Sequence, residues 1–477
     1  MAVYAQHPLL GVVQRAFQDK DAAVLQDYLS SSFSVSGSTH EGAAFKLRQI
    51  LTNYPVESIR EVGRKKVAKG ILYDVETTRD GKARLSSLLV DADGKLIYST
   101  LFDELYGMSR EPKSRLLADI PFENHNGSII LTVFINELQR PIRLLFDTGA
   151  DGMAVSESLA AEIGLKVTRE NNASVVGGNT KINVSENNTV LLDNIQLTGM
   201  GIAIFPEMKK DHAEGIIGNT LLYRYLTKID YDRNILSLYS FGDYTYEGKG
   251  QRIPITLPSG LLLVPGQLDI VKGQRAIGTF VFDTGASYDL ICFRPFVRQH
   301  KLLVSGFKPE IQASTVSMGI SSPTFLGASH QFEIAALPPM PALPVTLMGG
   351  TSHNENWNPG ADGSIGVRML SRYNLTINLA EGELFFSPNR LHRYPQDFIV
   401  KGCQFGWNNQ GELFVISSGL DAQGVSLLAV GVQVLNIGGF KADVIKSKGN
   451  LIKEIQGMAK DGNAVPVVLE GQATVSL

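Results

Sequence analysis

Two stretches of the sequence repeat each other, and this repeat constrains the fold more than any other feature. Residues 144–150, Leu-Leu-Phe-Asp-Thr-Gly-Ala, recur as Phe-Val-Phe-Asp-Thr-Gly-Ala at residues 280–286. Farther along, Glu-Gly-Ile-Ile-Gly at residues 214–218 recurs as Asp-Gly-Ser-Ile-Gly at residues 362–366. The offset is 136 residues for the first motif and 148 for the second, so the second copy carries 12 additional residues between its motifs. Such a repeat predicts two homologous lobes.

The triplet Asp-Thr-Gly is not distinctive in a single copy, because these residue types are also ordinary turn formers. From average residue usage, one Asp-Thr-Gly-Ala in a chain of this length has roughly a 1% chance, and two in the same strand context are rarer by about another hundredfold. The paired downstream segments make coincidence untenable. The two triplets are therefore interpreted as two halves of one site.

The aspartates of the triplets, Asp147 and Asp283, are the candidate catalytic residues. Each follows an apolar run that predicts a buried strand ending at the centre of a sheet. Two carboxylates held a hydrogen bond apart share one proton, so the pair offers an acid and a base at the same moment. This suits direct attack of water on a carbonyl group. Because such a pair titrates as a unit, the sequence assigns no separate role to either aspartate.

The residues after each aspartate can be explained by the structural requirements of the loop. The threonine hydroxyls can brace one loop against the other, and the glycines allow a tight turn whose backbone approaches the carboxylates. The alanines keep the floor of the site small. The predicted supporting residues are Thr148, Gly149, Ala150, Thr284, Gly285 and Ala286.

Residues 145–151 and 215–222 resemble the motifs of retropepsin-like aspartic peptidases. The chain looks like a fused pair of retropepsin-type halves, as in predicted bacterial aspartyl proteases that carry a C-terminal PDZ domain. The resemblance spans roughly residues 122–390. It implies that Asp147 and Asp283 are the catalytic pair and that the activity is endopeptidase hydrolysis without a cofactor.

In that family a glycine-rich hairpin closes over the substrate. Val-Val-Gly-Gly-Asn at residues 175–179 is the candidate flap, with Gly177 and Gly178 at its tip, and a plain hairpin turn is the rival interpretation. The second lobe has no equally clean match; Ser-Met-Gly-Ile at residues 317–320 is a weaker one. We therefore expect one clear flap over an asymmetric cleft.

The residues that follow the repeated motif differ between the copies. Asp151 follows the first copy, as in retroviral enzymes, whereas Ser287 follows the second. The resemblance implies that both present polar groups to the substrate. The two half-sites are therefore expected to differ in substrate contacts.

The chain of 477 residues is too long for one hydrophobic core, and its residue pattern changes along the sequence, which predicts a multidomain protein. Before the lobes, helical spacing is followed by β-prone runs with Asp-Gly turns, an order that resembles the NTF2-like fold. Glu-Pro-Lys-Ser-Arg at residues 111–115 is predicted to be a linker. The predicted divisions are an α+β module at residues 1–112, the mainly-β bilobal acid-protease fold with lobes at residues 120–247 and 248–390, and a PDZ-like module at residues 398–477.

The last module resembles PDZ domains at Gln-Phe-Gly-Trp, residues 404–407. The resemblance implies that Phe405, Gly406 and Trp407 form the loop that receives a peptide carboxylate. Two departures are Val432, where the family usually has Asp, and Gly438, where it usually has Asn. Peptide binding by strand addition and a packing role beside the lobes both remain open.

Composition and the remaining residues exclude several classes of function. The net charge of −3 and the lack of a dense Lys/Arg stripe argue against nucleic acid. No apolar run is long enough for a membrane span. His330, His353 and His392 have neither helical pairing nor a cysteine partner, so no metal site is predicted. An extracytoplasmic location is expected from PDZ-linked peptidases of this appearance.

Two hypotheses for function follow. The first is an aspartic endopeptidase acting on peptide or protein substrates. The second is a catalytically silent peptide-binding or adaptor protein that uses the cleft and a peptide ligand at the PDZ-like module. Two mutually repelling carboxylates favour the first, because a binding cleft has no need of them.

Overall fold

The computed structural model describes residues 7–208, 212–352 and 354–477, so His353 lies outside the described residues. Its first part packs helices against the antiparallel sheet β1-β2-β3-β4. The elements of this part are α1 (Pro8–Asp19), α2 (His40–Asn53), α3 (Thr100–Leu105), a 3-10 helix (Ala22–Tyr28), β1 (Ser58–Val67), β2 (Gly70–Arg79), β3 (Lys82–Val90), β4 (Leu96–Ser99) and β5 (Arg110–Lys113).

This N-terminal part has a core of its own, which includes Leu10, Val13 and Phe102. Strand β1 was not predicted from the sequence. Half of its residues, Ser-Ile-Arg-Glu-Val-Gly-Arg-Lys-Lys-Val, are charged, and the strand is largely exposed. The strand forms because its backbone pairs with β2 along nearly its whole length. Cross-strand pairing of this kind leaves only a weak pattern in the sequence. The NTF2-like resemblance stays a prediction.

The first lobe is a mainly-β unit built on the sheet β11-β12-β13-β10-β14-β9-β8-β7. Its elements are α4 (Glu157–Ile163), β6 (Leu116–Pro121), β7 (Glu123–His125), β8 (Ser128–Ile135), β9 (Ile142–Phe146), β10 (Met153–Ser156), β11 (Arg169–Val175), β12 (Gly178–Leu192), β13 (Ile195–Phe205), β14 (Gly215–Ile217), β15 (Leu226–Asp230), β16 (Ile235–Tyr239) and β17 (Phe241–Asp243).

The second lobe has the sheet β22-β23-β26-β21-β27-β20-β19-β24-β25, whose first seven strands repeat the order of the first lobe, with β24 and β25 in place of β7. Its helical elements are α5 (Arg294–Gln299), α6 (Val367–Leu370) and a 3-10 helix (Leu302–Val304). Its strands are β18 (Gln251–Pro254), β19 (Leu263–Val271), β20 (Gln274–Phe282), β21 (Leu290–Cys292), β22 (Ile311–Ser317), β23 (Ile320–Ala328), β24 (Gln331–Ile334), β25 (Met340–Pro341), β26 (Pro344–Met348), β27 (Gly363–Ile365), β28 (Tyr373–Asn378) and β29 (Glu383–Pro388).

A six-stranded sheet joins the lobes, in the order β18-β29-β28-β15-β16-β6. Each lobe contributes three neighbouring strands, and β15 pairs with β28 at the junction, where Ile229 lies opposite Leu375. Buried side chains from both lobes belong to one apolar cluster. The lobes are therefore held together by backbone pairing as well as by packing.

The segment at residues 111–115 is not a free linker, which corrects the sequence-based prediction. Strand β5 pairs in parallel with β17 at the end of the first lobe. The hydroxyl of Ser114 donates to the carbonyl oxygen of Ser240 at 2.7 Å. Polar side chains and a proline predict a loop, but here the backbone finds its partners in a strand 130 or so residues farther along the chain.

The C-terminal part has a separate core and contains the sheets β30-β31-β32 and β34-β33-β35-β36. Its elements are β30 (Phe398–Val400), β31 (Cys403–Trp407), β32 (Leu413–Ser418), β33 (Val434–Ile437), β34 (Phe440–Lys441), β35 (Pro466–Leu469), β36 (Val475–Ser476), α7 (Ala442–Ser447) and α8 (Leu451–Lys460), preceded by a 3-10 helix (Leu391–Arg393).

The prediction of a carboxylate-binding loop at Phe405, Gly406 and Trp407 is wrong, because all three lie in strand β31 and are buried. The two aromatic side chains belong to the apolar core of the C-terminal part. A Cβ atom at Gly406 would overlap the guanidinium of Arg368 and the carboxylate of Asp397. The glycine is therefore explained by close packing against the second lobe.

Strand β31 is also the middle strand of its sheet, with β30 on one side and β32 on the other. Strand β30 is in turn held by α8, where the Gln456 side chain donates to the carbonyl oxygen of Ile399 at 3.1 Å. A peptide can therefore add to β31 at residues 403–405 only if β30 leaves.

Within the described ranges, no helix is both long and apolar enough to cross a membrane.

Candidate active site

Asp147 and Asp283 follow directly after β9 and β20, at the centres of the two lobe sheets. Strand β9 runs parallel to β14, and β20 runs parallel to β27. The backbone N–H of Asp147 donates to Ile217 O, and that of Asp283 donates to Ile365 O, both at 3.0 Å. The downstream glycine segments therefore lie beside the Asp-Thr-Gly strands, which explains why the two motifs repeat together.

The threonines tie the two loops together by reciprocal hydrogen bonds. The Thr148 N–H donates to the Thr284 hydroxyl oxygen at 3.1 Å, and the Thr284 N–H donates to the Thr148 hydroxyl oxygen at 3.0 Å. Each hydroxyl then donates to the opposite lobe, to Phe282 O at 2.6 Å and to Phe146 O at 2.7 Å. Both threonines are fully buried, so the network fixes one loop relative to the other.

This network brings the carboxyl groups of Asp147 and Asp283 together. The N–H of Gly149 donates to Asp147 Oδ1 at 2.9 Å, and that of Gly285 donates to Asp283 Oδ1 at 2.9 Å. A Cβ atom at Gly149 would lie 2.6 Å from Asp283 Cγ, and one at Gly285 would overlap the Asp147 carboxyl group. Each carboxyl group therefore lies against the backbone of the opposite loop, and only glycine leaves it room.

The alanines of the motif are held through their backbones. The N–H of Asn219 donates to Ala150 O at 2.9 Å, and the N–H of Val367 donates to Ala286 O at 2.8 Å. A Cβ atom at Gly218 would overlap Ala150 O, and one at Gly366 would lie 2.8 Å from Ala286 O. The second glycine of each downstream motif thus lets that segment pack directly beneath the active-site loop.

The segment predicted as a flap forms a hairpin, and the second lobe forms a hairpin at the corresponding place in its strand order. The structure thus differs from the expectation of one clear hairpin. In the first lobe β11 and β12 are joined at Gly177, and Gly178 begins β12. In the second, β22 and β23 are joined at Met318 and Gly319, both with positive φ. The sequence signal was weaker there because methionine is not a typical residue for this backbone conformation.

The two hairpins contact each other, and the tip of each packs against an apolar cluster of the opposite lobe. A Cβ atom at Gly177 would lie 2.6 Å from the Ser322 hydroxyl oxygen of the other hairpin. Val176 packs against an apolar cluster of the second lobe, and Met318 packs against one of the first. The Trp357 indole N–H also donates to the Ser174 hydroxyl at 3.2 Å. Each hairpin is therefore anchored on the opposite lobe.

Asp151 and Ser287 are both exposed, and Asp151 has partners at the edge of the site. The Tyr223 hydroxyl donates to Asp151 Oδ1 at 2.8 Å, and a Cβ atom at Gly260 would overlap the Asp151 carboxyl group. Lys46 of α2 comes from the N-terminal part, and burial lowers its pKa to about 8, opposed by the charge of Asp151. The N-terminal part thus reaches the edge of the first half-site.

Sequence reasoning missed two hydroxyl groups beside Asp283. Ser364 Oγ donates to Asp283 Oδ2 at 2.9 Å, and the Tyr288 hydroxyl lies 3.5 Å from the same oxygen. Ser364 could have been noticed, since it is the position at which the repeated segments Gly-Ile-Ile-Gly and Gly-Ser-Ile-Gly differ.

Among the described residues, no group of three or more His, Cys, Asp or Glu side chains is arranged to hold a metal ion.

Comparison with known proteins agrees with the geometry of the first lobe. Residues 131–221 match the family model described as aspartyl protease. The match supports an aspartic peptidase. The matched segment runs from β8 through the first Asp-Thr-Gly triplet and the β11–β12 hairpin to the residues after β14.

Among solved structures, the chain is similar to an aspartic proteinase from Irpex lacteus, with 12% sequence identity and a TM-score of 0.38. The similarity covers 58% of this chain and 98% of that chain. No curated protein matches the chain.

Proposed function

We propose that this chain is an aspartic endopeptidase whose catalytic pair is Asp147 and Asp283. The observation that carries the proposal is the reciprocal threonine network, because it holds two buried carboxyl groups from different lobes against each other. The carboxyl groups retain limited access to solvent, since Asp147 is 7% and Asp283 is 8% exposed. The family match over residues 131–221 supports the same chemistry.

In the proposed reaction, a water molecule bound between the carboxyl groups attacks the carbonyl carbon of a peptide bond. The ionised carboxylate accepts a proton from the water, while the protonated carboxyl donates its proton to the carbonyl oxygen. The resulting tetrahedral diol then collapses as the C–N bond breaks and the nitrogen takes up a proton. No charged intermediate accumulates, since the shared proton is returned to the pair.

The two hairpins suggest how an extended substrate is held. In this proposal the hairpin backbones offer N–H and C=O groups to a peptide strand. The hairpins touch each other at Gly177 and Ser322, so the proposal requires them to separate before a substrate is bound. Closure over the substrate would then exclude water from the reaction.

A peptide library tests the proposal directly. Purified protein should cleave some members between about pH 3 and pH 7, with activity confined to the range in which the pair holds one proton. Asp147→Asn and Asp283→Asn should each abolish turnover while leaving peptide affinity measurable. Activity that is insensitive to pepstatin and survives Asp147→Asn would contradict the proposal. Binding without turnover in the wild type would instead support an adaptor role.

A further inference from the structure

The two halves of the site differ at one oxygen atom. Ser364 Oγ donates to Asp283 Oδ2 at 2.9 Å, and the hydroxyl of Tyr288 lies 3.5 Å from the same atom. Ser364 is 1% exposed, so water does not compete effectively for its hydroxyl. The serine contact is the stronger one by distance, and the tyrosine contact is at the long end of hydrogen bonding.

The first lobe has no hydroxyl at the equivalent positions. Ser364 lies in β27 opposite Val281 of β20, and Ile216 holds the same register in β14, opposite Leu145 of β9. Tyr288 comes five residues after Asp283, whereas Gly152 comes five residues after Asp147. The glycine N–H bonds to the two Oδ1 atoms are equal at 2.9 Å. Ser364 and Tyr288 therefore make the surroundings of the two carboxyl groups unequal.

We propose that Ser364 and Tyr288 are positioning residues that hold Asp283 as the ionised member of the pair, so that the shared proton resides on Asp147. The inference rests on the proposed function for its catalytic meaning. Hydrogen bonds donated to a carboxylate favour its charged form over its neutral form. In a pair that shares one proton, favouring the charge on one side moves the proton to the other.

The surroundings of Asp283 fit this assignment. Asp147 and Tyr288 are titratable groups that face it, and burial together with the Asp283 charge raises the pKa of Tyr288 well above its usual value. The Tyr288 hydroxyl therefore keeps its proton at any pH relevant to the pair. Asp289, the next residue, instead accepts a hydrogen bond from Gln404 at 2.8 Å.

The assignment gives each carboxyl group one role in the first step. Asp283 accepts the proton from the attacking water as the new C–O bond forms. Asp147 donates its proton to the carbonyl oxygen as the C=O π electrons move onto that oxygen. After this step Asp283 is protonated and Asp147 is ionised. As the C–N bond breaks, Asp283 donates its proton to the leaving nitrogen and Asp147 accepts a proton from one diol hydroxyl, so the pair returns to its starting state.

The order of the two carboxyl pKa values can be measured without relying on activity. In Asp147→Asn the remaining carboxyl is Asp283 with both hydroxyl donors, and in Asp283→Asn it is Asp147 without them. We expect ¹³C NMR titration to show that Asp283 in the first variant ionises about one pH unit or more below Asp147 in the second. Equal values or the reverse order would overturn the assignment.

Enzyme kinetics provides the second test. Removing the Ser364 hydroxyl withdraws a bond from Asp283 whenever it is ionised, that is, in both the singly and the doubly ionised pair. Ser364→Ala should therefore raise the acidic apparent pKa of kcat/KM by about 0.5 to 1 unit and leave the alkaline one nearly in place. Tyr288→Phe should act in the same direction with a smaller shift.

Matched variants separate positioning from packing. Ser364→Thr keeps the hydroxyl, so the acidic limb of its pH profile of kcat/KM should match that of the wild type. Ser329→Ala removes another buried serine of the same lobe, one that donates to Leu343 O at 3.0 Å, and should leave both limbs unchanged. An unchanged acidic limb in Ser364→Ala and in Tyr288→Phe would refute the inference while leaving the peptidase proposal intact. If the wild type cleaves no peptide, the proposed function fails, and the NMR order still decides the inference.

Discussion

Thr148 and Thr284 each donate a backbone N–H to the hydroxyl oxygen of the other, at 3.1 and 3.0 Å. They lie 136 residues apart in the sequence and come from different lobes. Since both are fully buried, the bonds have no competition from water. These two hydrogen bonds fix the relative position of the two aspartates. Their loss should therefore lower both the free energy of unfolding and the catalytic activity.

Thr148→Val should lower the free energy of unfolding by roughly 2 to 5 kcal/mol, because it leaves two buried groups without partners. These are the Thr284 N–H and the Phe282 carbonyl oxygen. Urea denaturation measures the change. The exposed Thr198→Val serves as the control and should stay within about 0.5 kcal/mol of the wild type. Equal effects of the two variants would contradict a structural role for the network.

Gly285→Ala should reduce kcat/KM by about a hundredfold or more, since the new Cβ atom would overlap the carboxyl group of Asp147. The carboxyl group must rotate or the loops must separate, and either change misplaces the pair. Gly201→Ala is the matched control, because no atom lies within 4 Å of its Cβ position. Peptide hydrolysis near wild-type rate in Gly285→Ala would show that the loops are less closely apposed than we infer.

Trp357→Phe should loosen the hairpin of the first lobe, because it removes the indole N–H that donates to Ser174 at 3.2 Å. The smaller ring still packs in the cluster beside Phe293, so the lobe itself should keep its stability. Hydrogen exchange in residues 169–192 should become faster. Ser174→Ala removes the same bond from the other side and should give the same result. Unchanged exchange in both variants would mean that the bond does not restrain the hairpin.

Asp289→Asn should make the protein less sensitive to rising pH. Burial, and then repulsion from Asp397, raises the pKa of Asp289 well above its usual value. Such a group stabilises the fold below its unfolded pKa, and this contribution is lost as the pH rises through its folded pKa. The asparagine variant does not titrate, so its unfolding free energy should fall less between pH 4 and pH 8 than that of the wild type. Parallel pH dependences would contradict the raised pKa.

Local patterns predicted much of the fold. The apolar spacing near the N-terminus predicted helices that the structure places at Pro8–Asp19 and His40–Asn53, and the Asp-Gly pair at residues 80–81 joins β2 to β3 as expected. These signals come from residues close together in the chain. Strand β1 and the second hairpin were harder to predict, because their formation depends on pairing rather than on composition.

Gly406 shows how a short resemblance can mislead. Its neighbours looked like a carboxylate-binding loop, yet the residue lies in a buried strand where a side chain would overlap Arg368 and Asp397. Arg368 and Asp397 form an ion pair with hydrogen bonds of 2.8 and 3.0 Å. A glycine required by close packing and a glycine required by a loop are alike in sequence, and only the packing partner distinguishes them.

The sequence by itself determined that the chain carries two Asp-Thr-Gly loops with matching downstream segments, because a duplication leaves its record in local residue order. Residue order also showed that Asp151 and Ser287 differ between the copies, but tertiary structure alone decided which hydroxyl groups reach the catalytic pair. Ser364 is 81 residues from Asp283 in the chain, and it reaches that carboxylate only because β27 runs beside β20. Hydrogen bonds act over about 3 Å. Which aspartate is stabilised in its ionised form therefore depends on interatomic distances that cannot be read from the order of residues.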